Sequence, residues 1–249
     1  TIKSHTRLVS AVCVSPDGRW IVSASYDRTV RIFEAETGLL YRVLEGHTDQ
    51  VWNISVSPDS TTVVSGGHDQ SVKTWLIRTG ECLKTSKAKT AGITKMTVTR
   101  DGQRMVSIRS SDCAVVVRDT ERMDEVVWAF VGHQGAVQCV AVSADAAMVV
   151  SGGEDATVRL WDLVSGKGIR TLEGHAAAVQ CVFVSPDGRF ILSGSADETL
   201  RLWEVASGRC VQVLVGHDGC VNTAAITPDG TRAVSGKRNG ISFGRAVPA

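Results

Sequence analysis

Four histidines in this chain stand in the same company. His5, His47, His133 and His175 are each followed 22 residues later by an aspartate: Asp27, Asp69, Asp155 and Asp197. A serine lies four residues before each aspartate (Ser23, Ser65, Ser151, Ser193), and an aromatic ring lies six after it (Phe33, Trp75, Trp161, Trp203). Serine, histidine and aspartate are the nucleophile, base and orienting acid of an acyl-transfer hydrolase. That chemistry needs one such cluster in a cleft beside an oxyanion hole, whereas here the cluster occurs four times at one spacing. No nucleophile elbow, phosphate loop or zinc-helix motif accompanies it. Repetition points instead to a structural chain of hydrogen bonds, because a fully satisfied buried polar network specifies a fold. The chain is therefore read as no enzyme, with a hydrolase as the weaker alternative.

What must position these clusters is a repeat. Turns headed by Asp17, Asp59, Asp101, Asp145, Asp187 and Asp229 are spaced 42, 42, 44, 42 and 42 residues apart. Asp followed by Gly or another small residue suits a tight connection between antiparallel strands. In the clearest unit, Gly132 to His175, turns at 143–146, 153–155 and 165–167 leave four short runs rich in Val, Ile, Leu and Cys. Four short strands at this period, six times over, predict an all-β chain of four-stranded antiparallel units. The first unit is expected to use Val9–Val14, Trp20–Ser25, Thr29–Phe33 and Leu39–Leu44. First strands such as VQCVAV and VQCVFV are almost wholly apolar, as for strands covered on both faces. The His then falls in the loop entering the first strand and the Asp in the loop between the second and third. Both loops open on one face, where an Asp–His–Ser–Trp chain ties them together.

Gly132-His133 at the head of this unit and Trp161-Asp162 near its end resemble the WD40 repeat family, and the resemblance covers nearly the whole length. It implies a β-propeller in which the sixteen residues above are structural tetrads. Six repeats allow a six-bladed ring or a seven-bladed one with part missing. As a single domain, the blades would span about 5–46, 47–88, 89–131, 132–173, 174–215 and 216–249, with 1–4 as a candidate closing outer strand. The resemblance also implies partner contacts on the top face, three and five residues after each His and one before each Asp. The leading candidates are Tyr26, Gln50, Trp52, His68, Gln138, Glu154, Gln180, Asn222 and Arg238. Trp52 is set apart because its repeat counterparts are Ser10, Thr94, Gln138, Gln180 and Asn222. A position that is polar in every sister blade points to a surface anchor, and aromatic anchors dominate binding hot spots. With Tyr26 and His68 it is expected to form an aromatic corner on blades one and two. The alternative is a Trp packed against the neighbouring blade.

Composition narrows the partners. A net charge of +1 over 249 residues gives no bulk attraction for nucleic acid or anionic lipid. No apolar run approaches the roughly 20 residues of a membrane helix, and no secretory leader is recognisable. The chain starts at Thr1, so it is read as a processed chain or a piece of a longer one. Seven cysteines without a CxxC pair suit a reducing compartment and offer no metal site. Cys139 and Cys181, and likewise Cys82 and Cys210, fall at equivalent places and are expected to be small buried hydrophobes. The expected location is intracellular, cytoplasmic with the nucleus allowed, and neither a metal nor a cofactor is expected.

Repeats three and six depart from the pattern. In the third, Lys89 stands where His should, Arg118 takes the aromatic place, and seven basic residues between Lys84 and Ser111 face one acid, Asp101. Solvated charges in a drifting blade are the favoured explanation. The sharper one is a basic patch of Lys87, Lys89 and Arg109 for an acidic or phosphorylated partner. In the sixth, Asn239 replaces the Asp and no outer strand is expected. The function expected is a protein–protein interaction scaffold, a subunit of a larger complex or part of a longer chain. The alternative is a peptide or phosphopeptide recognition domain of a larger regulatory protein, such as an NTPase or a ligase adaptor.

Overall fold

The computed structural model describes residues 4–57, 59–87, 93–99, 103–109, 113–120, 122, 125–226, 232–237 and 240–245, and among these there are strands and no helix. The first sheet is β1 (Val9–Val14), β2 (Trp20–Ser25), β3 (Val30–Glu34) and β4 (Leu40–Leu44). The second is β5 (Val51–Val56), β6 (Thr62–Gly67), β7 (Ser71–Leu76) and β8 (Cys82–Lys87). The third repeat holds β9 (Ile93–Val98), β10 (Arg104–Arg109), β11 (Ala114–Asp119) and β12 (Val126–Val131). The fourth sheet is β13 (Val137–Val142), β14 (Met148–Gly153), β15 (Val158–Asp162) and β16 (Gly168–Leu172). The fifth is β17 (Val179–Val184), β18 (Phe190–Ser195), β19 (Leu200–Glu204) and β20 (Cys210–Leu214). The sixth has three strands among the described residues, β21 (Thr223–Ile226), β22 (Arg232–Lys237) and β23 (Gly240–Arg245). The chain forms two compact units, Thr1–Ser107 with Arg118–Val127, and Ile108–Val117 with Trp128–Ala249.

The first hairpin turn of each sheet explains its own sequence. The Ser15 hydroxyl bonds the Asp17 carboxylate and accepts the Trp20 amide, while the Gly18 amide returns to the Ser15 carbonyl. The same bonds recur at Ser57/Asp59, Ser143/Asp145 and Ser185/Asp187. The residue after the Asp is left-handed every time: Gly18 at φ 73°, Gly188 at 70°, Ser60 at 57° and Ala146 at 58°. β3 opens at Val30 rather than Thr29, because the Thr29 amide and hydroxyl are engaged by Asp27.

Within each unit the sheets stack through their first strands. β5 lies against β1 and β2, and β17 lies against β13 and β14. Val22, Ile32 and Leu44 of the first sheet meet Val51, Ile54 and Trp75 of the second in one core cluster. Val150, Leu160 and Leu172 meet Val179, Ile191 and Trp203 in another. Burying a branched side chain of this size is worth about 1.5–3 kcal/mol, so these seams hold each stack together. In β1 the residues matching Val51, Ile54 and Val56 are Val9, Val12 and Val14, which are exposed. The cysteine expectation needs correction. Cys139 and Cys181 are buried, but Cys82 is exposed and Cys210 only partly covered, because the fourth strands lie at the rim.

Candidate functional site

Three tetrads form as continuous chains of hydrogen bonds, and the first forms without a bond from its ring. In the second sheet the His47 Nδ1 lies 2.9 Å from Asp69, its Nε2 lies 2.8 Å from the Ser65 hydroxyl, and the Trp75 indole N–H donates to that hydroxyl at 2.8 Å. His133 with Asp155, Ser151 and Trp161 repeats the pattern at 2.8–3.0 Å. His175 with Asp197, Ser193 and Trp203 does so at 2.8 Å throughout. In the first sheet His5 reaches Asp27 at 2.8 Å and Ser23 at 2.7 Å, while Phe33 supplies a buried ring without a donor.

The protons can be assigned from charge. Burial holds His47, His133 and His175 below the usual imidazole value, although the adjacent carboxylates pull the other way. Burial also works against ionised Asp69, but bonds from the Ser71 hydroxyl, the Thr48 and Ser71 amides and His47 overcome it and set the carboxyl low. A neutral imidazole carries its proton on the nitrogen that faces a carboxylate, which here is Nδ1. Trp N–H therefore donates to Ser, Ser O–H to His Nε2, and His Nδ1–H to Asp, leaving every group satisfied. Ser65, Ser151 and Ser193 are fully buried, so none is open to a substrate.

The polar chain has a fifth member that the sequence pattern did not single out. Two residues after each Asp, Thr29, Ser71, Thr157 and Thr199 donate a hydroxyl to that carboxylate at 2.7–2.9 Å. Its signal is a Thr or Ser at the same offset in all four repeats. Arg118 likewise replaces more than a ring: its guanidinium donates to the Ser107 hydroxyl at 3.4 Å, the role the indole N–H plays elsewhere. In the sixth repeat His217 Nε2 reaches Ser235 at 2.7 Å. Asn239 lies outside the described residues.

The strands place the candidate contact residues by one device. In β1, β5, β13 and β17 the pairing register slips by one residue, leaving Ser10, Trp52, Gln138 and Gln180 as the extra residue of a bulge. A bulge re-aims a side chain out of the alternating pattern. Each of these residues lies five after its His. The residue before the Asp then comes alongside: Gln138 Nε2 donates to Glu154 at 2.8 Å. In the second sheet the Trp52 and His68 rings stack at 5.7 Å, and Tyr26 of the first sheet stacks on Trp52 at 6.2 Å. Trp52 is thus half-buried between two rings rather than freely exposed, and its indole Nε1 is buried without a partner among the described residues. His68 is exposed and lies 3.0 Å from Asp49. Gln50 and Gln180 are partly covered, and Glu154 and Asn222 are exposed.

The basic candidates are dispersed. Lys87 is exposed at the end of β8. Arg104 pairs with Asp119 at 3.5 Å, and Lys84 donates to the Thr120 carbonyl at 2.9 Å. Lys89, Arg238 and the Arg109 side chain lie outside the described residues. Among the described residues no group of three or more His, Cys, Asp or Glu is placed to hold a metal, and no helix is long and apolar enough to cross a membrane.

The family described as "WD domain, G-beta repeat" matches residues 1–34, 38–75, 124–162, 166–204 and 208–241. The chain belongs to the WD40 repeat family. Its fold class is accordingly the all-β propeller of four-stranded blades. The matched stretches from 38 onward each open near the outer strand of one blade and close on the third strand of the next, and they omit most of repeat three. Among relatives, the chain is similar to the small ribosomal subunit protein RACK1 of Candida albicans, 40% identical over 70% of this chain and 54% of that protein. It is also similar to the MST50-interacting protein 11 of Pyricularia oryzae, 39% identical over 69% of this chain and 55% of that one. A shorter match joins it to the NACHT domain- and WD repeat-containing protein 1 of Mus musculus, 37% identical over 26% of this chain and 4% of the relative. The chain thus spans about half the length of its two broader relatives and far less of the third.

Proposed function

We propose that this chain is a non-catalytic protein-interaction scaffold that holds a protein or peptide on the face carrying Trp52, Tyr26 and His68. The observation that carries this reading is the bulge. Four repeats spend an irregular residue at one position, and only blade two fills it with a large ring, stacked between two others on a rigid strand. A half-buried aromatic held rigid by its neighbours loses little entropy on binding. Family membership supports a scaffold, and the burial of every fully satisfied Ser–His–Asp cluster argues against hydrolysis. The free cysteines and the relative named as a ribosomal subunit protein support a cytoplasmic setting.

Trp52→Ala and Tyr26→Ala test the reading, with Val164→Ala as an exposed control in the turn between β15 and β16. The expected result is loss of the same captured partners in both variants, at unchanged melting temperature. Unchanged capture sinks the proposal, and general unfolding assigns Trp52 to packing instead. A screen with esterase and phosphatase substrates tests the absence of catalysis.

A second reading makes the chain a recognition module within a longer regulatory protein. The mouse relative supports it, since its name joins WD repeats and a NACHT domain in one chain. An acidic or phosphorylated partner at Lys87, Lys89 and Arg109 belongs to this reading. Lys87→Glu with Lys89→Glu should then weaken binding and reduce its salt dependence.

A further inference from the structure

We propose that the cleft between the second sheet and strands β9 and β10 is a binding site for a small amphipathic acid. It is distinct from the aromatic face and independent of it. The cleft has a volume of about 350 Å³, within the range of roughly 300–1,000 Å³ usual for small-molecule sites.

The repeat itself shows why a cavity opens here. In the seam between the first and second sheets, and in the one between the fourth and fifth, equivalent places are filled by large apolar residues. Thr74 stands where the other sheets have Ile32, Leu160 and Leu202, each five residues after its Asp. Ser86 stands where they have Leu44, Leu172 and Leu214, as the strand registers show: Val72 faces Ser86, while Val30, Val158 and Leu200 face the leucines. Thr62 replaces Trp20, Met148 and Phe190, three residues after the turn Asp. From the opposite wall Thr120 replaces Ile77, Leu163 and Val205, since all four donate their amide to the same carbonyl of the first hairpin turn. All four exchanges run from apolar to hydroxyl, and all four residues line this one cleft.

Such exchanges forfeit burial in a seam that otherwise depends on it. Three of the four hydroxyls do not serve the protein: those of Thr62, Thr74 and Ser86 make no hydrogen bond among the described residues, while that of Thr120 donates to the Gln103 carbonyl at 3.1 Å. Val64, Val72, Leu83, Val98 and Met105 supply apolar walls. Among the described residues lining the cleft, Lys84 is the one charged residue, its ammonium held on the Thr120 carbonyl at 2.9 Å. An apolar body with an anionic head that accepts hydrogen bonds fits these three features together.

Decanoate titrated calorimetrically into the full chain, with decanol as the uncharged comparison, tests the assignment. Saturable one-to-one binding of decanoate is expected, stronger than that of decanol. Thr74→Ile with Ser86→Leu restores the residues of the sister sheets. It should weaken decanoate binding at least about tenfold and raise the melting temperature by on the order of 4 °C, as cavity filling does. Thr74→Val keeps the volume, removes one hydroxyl and guards against misfolding of the larger variant; a loss of about threefold or more is expected. Lys84→Met should weaken decanoate and leave decanol unchanged. Absence of saturable decanoate binding, equal affinity for decanoate and decanol, or wild-type affinity in the filled variant each overturns the proposal.

Discussion

Asp155→Ala removes the final acceptor of the fourth sheet's tetrad, and its cost can be worked from the bonds lost. The carboxylate takes His133 Nδ1–H at 2.9 and 3.0 Å, the Gln134 and Thr157 amides at 2.9 and 3.2 Å, and the Thr157 hydroxyl at 2.9 Å. The amides and the hydroxyl sit near the surface, where water substitutes, so each is worth about 0.5–1 kcal/mol. The imidazole has no such recourse. The His133 side chain is 1% exposed, and orphaning a buried donor costs about 1–3 kcal/mol. The expected destabilisation is about 4 kcal/mol, a large share of the roughly 5–15 kcal/mol that holds a domain folded.

Asp155→Asn should cost less, about 1–2 kcal/mol. The remaining oxygen still accepts from Thr157, and the new amide can donate to Nδ1 if the imidazole moves its proton to Nε2. Ser151 would then receive two donors, from His133 and Trp161, and lose the acceptor for its own proton. Urea unfolding followed by tryptophan fluorescence measures both variants, since Trp128, Trp161 and Trp203 all lie in the affected unit. A loss below 1 kcal/mol for the alanine variant, or equal losses for the two, would refute a neutral imidazole protonated on Nδ1.

Acid should destabilise the protein in two stages. His47, His133 and His175 have folded values below their ordinary one; the unfolded state therefore binds more protons just below pH 6.5, and stability falls as pH drops through that range. Asp27, Asp69, Asp155 and Asp197 are also held low, so their contribution is complete above about pH 4 and is lost as pH falls further. Melting temperatures across pH 3–8 check both stages; a flat profile between pH 6.5 and 5 contradicts the buried neutral imidazoles. Ala146→Gly should stabilise by about 0.5–1 kcal/mol, because it relieves a left-handed alanine where Gly18 and Gly188 stand in sister turns. Gly166→Ala should destabilise by more than 2 kcal/mol, since a Cβ there would sit 2.3 Å from the Trp128 ring at φ +72°. Cys82 and Cys113 should react with a thiol reagent before Cys139 and Cys181; Cys13, whose thiol burial pushes up to about 12, should also be slow.

The tetrads are legible in the sequence because each member is a different residue type at a fixed offset, so that four copies confirm one another. The hydroxyl two residues after each Asp is equally periodic but does not stand out, since Thr and Ser are common near turns. Bulges are not legible. Register is a relation between strands, and nothing in VWNISV shows that Trp52 has no partner opposite it. The same limit explains Trp52 itself. Its polar counterparts indicate a surface place, but the rings that half-bury it come from positions 26 residues before and 16 after. Arg118 looks like simple loss of an aromatic, and only its reach to Ser107 shows a donor exchanged for a donor.

The tetrad and the bulge are parts of one construction. The His–Asp bond fixes the loop entering the first strand to the loop leaving the second, and these loops carry the bulge residue and its neighbour before the Asp. Buried polar atoms thereby set the spacing of accessible ones: Gln138 against Glu154 in the fourth sheet, Trp52 against His68 in the second. Removing Asp69 should loosen the aromatic stack as well as lower stability, whereas removing Asp197 loosens only Gln180 and Ala196. Variants matched for stability loss separate the two consequences. If partner capture falls further in Asp69→Ala than in Asp197→Ala, the polar chain of blade two positions the binding face; equal capture confines that chain to holding the fold.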